Sequence, residues 1–139
     1  MAYWLMKSEP DAWSWDMQVK KGAKGEAWSG VRNHQAKLNL MKMKKGDRAF
    51  FFHSNVGKEV VGVVEVIREH YPDPSAREGE PWVAIDVKAL SPTPKAVTLA
   101  ACRAEPRLRD MVLVNNTRLS VQPVTAEQWK VVCKMGGMT

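Results

Sequence analysis

Three runs in the middle of the chain limit its fold more than any other feature: RAFFFHS from Arg48, EVVGVVEVI from Glu59 and WVAIDVKAL from Trp82. All three are rich in β-branched and aromatic residues, which pack well on a pleated surface. In the third, Val83, Ile85, Val87 and Ala89 alternate with Trp82, Ala84, Asp86 and Lys88. That period belongs to an antiparallel strand with one buried face. NVGK reads as the turn between the first two runs, and YPDPSAREGEP as a loop punctuated by proline and glycine. Gly62, inside the second run, marks a bulge or a close approach of backbone. YWLM, Tyr3 to Met6, reads as a further buried strand, and RLSVQPV near the far end as another.

Helical patterns fall between these strands. Ser8, Pro10 and Asp11 suit a helix start, and Trp13 and Met17 are four apart, which predicts a helix over 11–20. KKGAKGE follows as a loop, with Gly22 as the C-terminal cap of that helix. From Val31 to Lys45, the helical spacing of Asn33, Ala36, Leu40 and Met43 competes with an alternating pattern. Length and strong helix formers decide for a helix. A short helix is expected near 98–104, and a last one opens at Thr125 and stops at Gly136–Gly137. Short strands with helices between them, and no repeat or linker, predict one α+β barrel-like domain over 1–139.

The formal charge is +6. Lys7, Lys20, Lys21, Lys24, Arg32, Lys37, Lys42, Lys44, Lys45 and Arg48 crowd the first third, while acids gather between Glu65 and Glu80. Net basicity favours capture of polyanions without fixing a fold. A solvated basic surface is the plainer account of the same residues. No run of about eighteen apolar residues offers a membrane span, and MAYWLMKSEP lacks the layout of a secretory leader. Cys102 and Cys133 stand alone without C-x-x-C spacing. A cytoplasmic protein without disulfides or structural zinc is expected, monomeric and with no membrane partner.

Motifs of catalysis are missing. The three histidines, His34, His53 and His70, do not share a metal-ligand spacing. There is no H-x-E…P-C-x-x-C signature, no G-x-S-x-G elbow and no phosphate-cradling glycine loop. His53 and Ser54 are neighbours on a strand and should point to opposite faces, a poor geometry for a base and its nucleophile. Metal and cofactor are therefore expected to be absent. Aromatic residues are more telling, with six tryptophans and three phenylalanines in a small basic chain. Trp13 and Trp129 fall on helical faces, whereas Trp4, Trp28, Trp82 and Phe52 fall at strand ends or loop junctions. Each of the latter suits either core packing or stacking on a nucleobase.

Taken together, YWLMKSEPD, WSGVRNHQAKLNLMKMKKGDRAFFFHSN, VGVVEVIREHYPDPSA, WVAIDV and MVLVNNTRLSVQPVT resemble the EVE-domain family, PUA-like proteins related to YTH domains. The resemblance runs in order from about residue 3 onward, and the joint occurrence of K-S-E-P, W-x-G-V-R-N, F-x-H-S and R-L-S-V-Q-P-V is highly specific. It implies a PUA-like mixed β-barrel of short strands with flanking helices, holding a pocket for a modified base. The implied partner is nucleic acid with such a base, a modified cytosine in DNA foremost, flipped out of its stack. A YTH-like RNA reader is the nearest alternative. Carried over residue by residue, the resemblance gives the pocket Ser8 and Glu9, then Trp28, Ser29, Gly30, Val31 and Asn33. Phe52, His53 and Ser54 come from a strand end, with Leu119 and Ser120 opposite. Lys7, Arg32, Lys37 and Arg118 would meet phosphate. Many members of the family have tyrosine where this chain has Phe52. A non-catalytic reader is thus expected; the competing reading is a hydrolase or deaminase of a modified base, with Glu9 or His53 as general acid or base.

Overall fold

The computed structural model of the chain describes residues 1–138. Its strands are β1 (Tyr3–Ser8), β2 (Glu26–Trp28), β3 (Arg48–His53), β4 (Glu59–Pro72), β5 (Val83–Thr98) and β6 (Val121–Val124). Its helices are α1 (Trp15–Lys20), α2 (His34–Lys42), α3 (Leu99–Ala104), α4 (Val112–Asn115) and α5 (Ala126–Met135). Among the described residues the strands form one mixed sheet in the order β2-β5-β4-β3-β1-β6. Only β1 and β3 run parallel; the other neighbours are antiparallel. The α+β class is as the sequence predicts.

Strand alternation divides the apolar residues into two cores. Trp4 and Met6 of β1, Ala49 and Phe51 of β3, and Val121 of β6 belong to one. Leu5, Phe50, Phe52 and Val124 belong to the other. The first core also takes Ala36 and Leu40 from α2 and Met43 just after it, and α2 packs on both β5 and β6. The second is covered by α3, α4 and α5, with Trp129 stacked on Phe50 at 3.9 Å between ring centres. The sheet must curl around the first core. In the hydrogen-bonded ladder, β5 and β4 separate β2 from β3, so a flat sheet would hold β2 and β3 about 14 Å apart. Yet the rings of Trp28 and Phe51 meet edge-on at 5.5 Å. The inner core is therefore the interior of a barrel, and α2 lies across the gap between its edges.

Gly62 shows why the sequence needs a glycine there. The register of β4 against β5 shifts between Val60 and Gly62, and a Cβ at Gly62 would collide with the ring of Trp15. Bulge and close approach are both present.

Several boundaries differ from the pattern. The first helix starts at Trp15, with Ser14 as its cap accepting from Met17 N at 3.2 Å. Ser8 does not cap it, because its hydroxyl donates to the Trp13 carbonyl, and 9–13 form a turn in which Glu9 O accepts from the amides of Ala12 and Trp13. Trp13 therefore precedes the helix rather than sharing a face with Met17, which is exposed. Strand β2 occupies part of a stretch that reads as loop and pairs with β5, Trp28 opposite Ile85. The last residues of β4, Tyr71 and Pro72, likewise belong to what reads as the loop after it. Strand β5 runs on through SPTPKAVT. Since β2 covers it only along 85–87, Pro92 and Pro94 remove no ladder bond on that side. Helix α4 also lies where no helix is expected.

Candidate functional site

A cleft of about 760 Å³ opens between the C-terminal end of β1 and the connection from β2 to α2. Lys7, Ser8 and Glu9 form one side, and Glu26 to Arg32 the other. Trp13 and Ala12 close one end, while Pro74, Ser75 and Ser120 complete the rim.

Each wall is fixed by bonds that the chain makes elsewhere. Ser54 N donates to Ser8 O, and Lys7 N to Ser120 O, both at 2.9 Å, which sets the end of β1 against its neighbours. The indole Nε1 of Trp13 donates to Gln18 Oε1 at 2.9 Å, and Gln18 Nε2 donates to Val87 O at 3.1 Å. Gln18 is completely buried, so this relay anchors the Trp13 ring to the barrel. Trp28 is 8% exposed and offers the cleft only part of its ring. It is at once part of the inner core and a wall of the cleft.

The connection after β2 hangs on Asp73. Its Oδ2 accepts from Gly30 N at 2.8 Å and from Arg32 Nη1 at 3.1 Å, while Oδ1 accepts from the amide and hydroxyl of Ser75, each at 2.7 Å. Burial alone would raise its pKa. The bonds from Ser75, Gly30 and Arg32 outweigh it and hold the carboxyl below its usual value. Gly30 has φ +81°, a backbone state that favours glycine and turns its amide toward Asp73. The guanidinium of Arg32 also bonds Ser75 Oγ and lies 5.6 Å from the Trp82 ring.

The expected site residues divide into two groups. Lys7, Ser8, Glu9, Trp28, Ser29, Gly30, Val31, Arg32 and Ser120 line the cleft together. Asn33 does not; its Oδ1 caps α2 by accepting from Ala36 N at 2.9 Å. Leu119 packs in the inner core. Lys37 and Arg118 do not line the cleft. Phe52 faces the outer core and, with Ser54, borders a second cavity instead. Alternation along β3 makes this unavoidable, since Phe51 already points inward. His53 Nε2 accepts from Trp15 N at 3.0 Å, which fixes the start of α1. Burial lowers the His53 pKa, against smaller raising effects of Glu59 and Asp16.

Sequence reading missed Trp13, Glu26, Asp73 and Ser75 as parts of this site. Asp73 and Ser75 left a signal: an aspartate bonding the amide two residues on is the usual chemistry of a D-x-S turn. Nothing in the sequence aims that turn at Gly30.

The cleft suits a flat, polar ligand. Glu9 and Glu26 bring acceptors, although Glu26 also pairs with Lys21 at 3.2 Å and Glu9 accepts from Asn55 at 2.9 Å. Lys7 Nζ donates to Thr117 O, and burial lowers its pKa. The His53 lone pair is taken by the Trp15 N–H, and the Ser8 hydroxyl donates to a carbonyl.

Comparison with known proteins places these features in a family. Residues 2–135 match the family model described as EVE domain. Human thymocyte nuclear protein 1 is 31% identical over 96% of this chain and 73% of its own length. An NMR structure of a protein from Rhodopseudomonas palustris superposes with a TM-score of 0.93 at 64% identity, covering 99% of this chain and 94% of that one. A crystal structure of human THYN1 protein in complex with 5-methylcytosine containing DNA superposes with a TM-score of 0.90 at 30% identity, covering 100% and 99%.

Proposed function

The chain belongs to the EVE-domain family, and from that premise we propose that its cleft receives one modified base of a nucleic acid, a methylated cytosine in DNA foremost, and holds it without chemical change. The observation that carries this reading is the pairing, in one cleft, of two indole walls with two carboxylates. Trp13 and Trp28 offer stacking surface, and Glu9 and Glu26 offer acceptors for an exocyclic amine such as that of cytosine. A site for phosphate would not be lined with two carboxylates. The volume, about 760 Å³, falls in the ordinary range for small-ligand pockets.

Reading a base from a duplex requires its extrusion, which costs a few kcal/mol. Stacking returns about 1–3 kcal/mol per base, so the cleft favours bases already unpaired or weakly stacked. The relative solved with 5-methylcytosine containing DNA supports the assignment to DNA. The non-catalytic reading is supported by the engagement of His53 Nε2 and the Ser8 hydroxyl in bonds to the backbone.

The test is an affinity panel of oligonucleotides differing in one central base, each in DNA and RNA, with mass analysis of the recovered strand. The expected result is tighter binding of a modified cytosine in DNA and an unaltered mass. A mass change that requires the protein would replace this reading with the hydrolase or deaminase.

A further inference from the structure

We infer that the second cavity is a binding site for a phosphodiester of the same nucleic acid, so that base and backbone are held in two chambers on either side of the end of β1. The inference rests on the base-reading proposal above and deepens it. The second cavity has a volume of about 590 Å³. Lys7 of β1, Lys58 of the β3–β4 turn and Arg103 of α3 reach it from three separate elements. No carboxylate lines it, and among the described residues none of the three cations is paired with one. The first cleft has the opposite character, with Glu9 and Glu26 in its walls and Arg32 already bonded to Asp73. The two chambers therefore sort a nucleotide by its chemistry: the amine-bearing base to one, the anion to the other.

Two contacts join the chambers. Lys7 lines both, with its ammonium 5.8 Å from the centre of the Phe52 ring and bonded to Thr117 O. Glu9 of the first chamber accepts from Asn55 of the second at 2.9 Å. Chambers one side chain apart match a base and its own phosphodiester. The second chamber is also built rather than incidental. Lys58 O accepts from Leu99 N at 2.8 Å, which ties the turn bearing Lys58 to the start of α3. Phe52, Leu99 and Leu113 give it an apolar floor, where an ion pair is screened less than at an open surface.

The test uses the full chain and two single-stranded DNA oligonucleotides, one with a central 5-methylcytosine and one with cytosine, titrated by fluorescence anisotropy over a series of salt concentrations. Two charges are removed in the chamber, Lys58→Gln with Arg103→Gln, and two on the exposed side of α5, Lys130→Gln with Lys134→Gln. The chamber pair should flatten the slope of log affinity against log salt by about 1.5 and weaken both oligonucleotides on the order of tenfold. The α5 pair should keep the wild-type slope, and Arg103→Lys should restore most of what Arg103→Gln loses, which separates lost charge from lost folding. Equal effects of the two pairs, or no effect of the chamber pair, overturn the inference. So does displacement of the oligonucleotide by an equal concentration of inorganic phosphate, which would mark a site for the free anion. A wild-type protein that ignores the methyl group but shows the selective change of slope would sink base reading and leave the phosphate chamber standing. Discrimination of the methyl group with an unmoved slope would do the reverse.

Discussion

Asp73 touches the cleft only through Gly30, Arg32 and Ser75, and its charge state should set the order of that whole wall. Because its carboxyl is held below the usual value, near 3.8, its contribution to stability is complete above that pH and is lost as pH falls through the lower folded value. Asp73→Asn should therefore lower stability at neutral pH by about 1–3 kcal/mol and show a shallower decline than the wild type below about pH 4. Denaturant melts across that range check both limbs. The two cleft tryptophans should separate in the same assay. Trp28→Ala removes a ring packed against Phe51 and should cost about 3–5 kcal/mol of stability. Trp13→Ala, at a partly buried ring, should cost less stability but about 1–3 kcal/mol of base affinity, measured by titration. Sequence alone located Trp28, because it sits inside a family motif, and misplaced Trp13, because its spacing from Met17 imitates a helical face. A turn stabilised by Glu9 O and Ser8 Oγ overrode that periodicity.

At the scale of elements, the strands with clean alternation were legible and the elements held by distant partners were not. Central β3 and β4 declare themselves by β-branched and aromatic density. Strand β2 has only three residues and exists because β5 offers an edge to Ala27 and its neighbours. The far half of β5 contains two prolines that local reading treats as a stop, yet its uncovered side tolerates them. Gly62 is the element-level feature open to direct test. Gly62→Ala drives a methyl group into the Trp15 ring, so the mutant should lose about 1–3 kcal/mol as the ring is displaced. Trp15 fluorescence would be read through difference spectra of the mutant and wild type. Since His53 Nε2 holds Trp15 N, a shift in the His53 titration should accompany the loss; an unmoved titration would show that α1 keeps its place.

For the whole molecule, the α+β class and the division into flanking helices and barrel follow from the order of patterns, while the candidate site was readable only in part. Nine expected residues meet in the cleft. Those that do not meet fall on the other face of a strand, as Phe52 does, or serve as caps, as Asn33 does. Which wall faces which depends on the curl of the sheet, and curl is set by long-range pairing that no short window contains.

That pairing bears on the order in which the protein can be made. Strand β1 leaves the ribosome before either of its partners, β3, some forty residues later, and β6, near residue 121. Until both have emerged, the run YWLM is an unprotected sticky edge, whereas β3 and β4 are joined by a short turn and need not wait. Contacts so distant in sequence close slowly. Pulsed hydrogen exchange during refolding should find the β3–β4 amides protected before those of β1, and a nascent chain arrested before Val121 should depend on a chaperone for solubility. Simultaneous protection of β1 and β4 would argue that the barrel closes in one step. The strand whose end borders both chambers is thus expected to find its place after β3 and β4, so a half-made copy has no finished cleft at all.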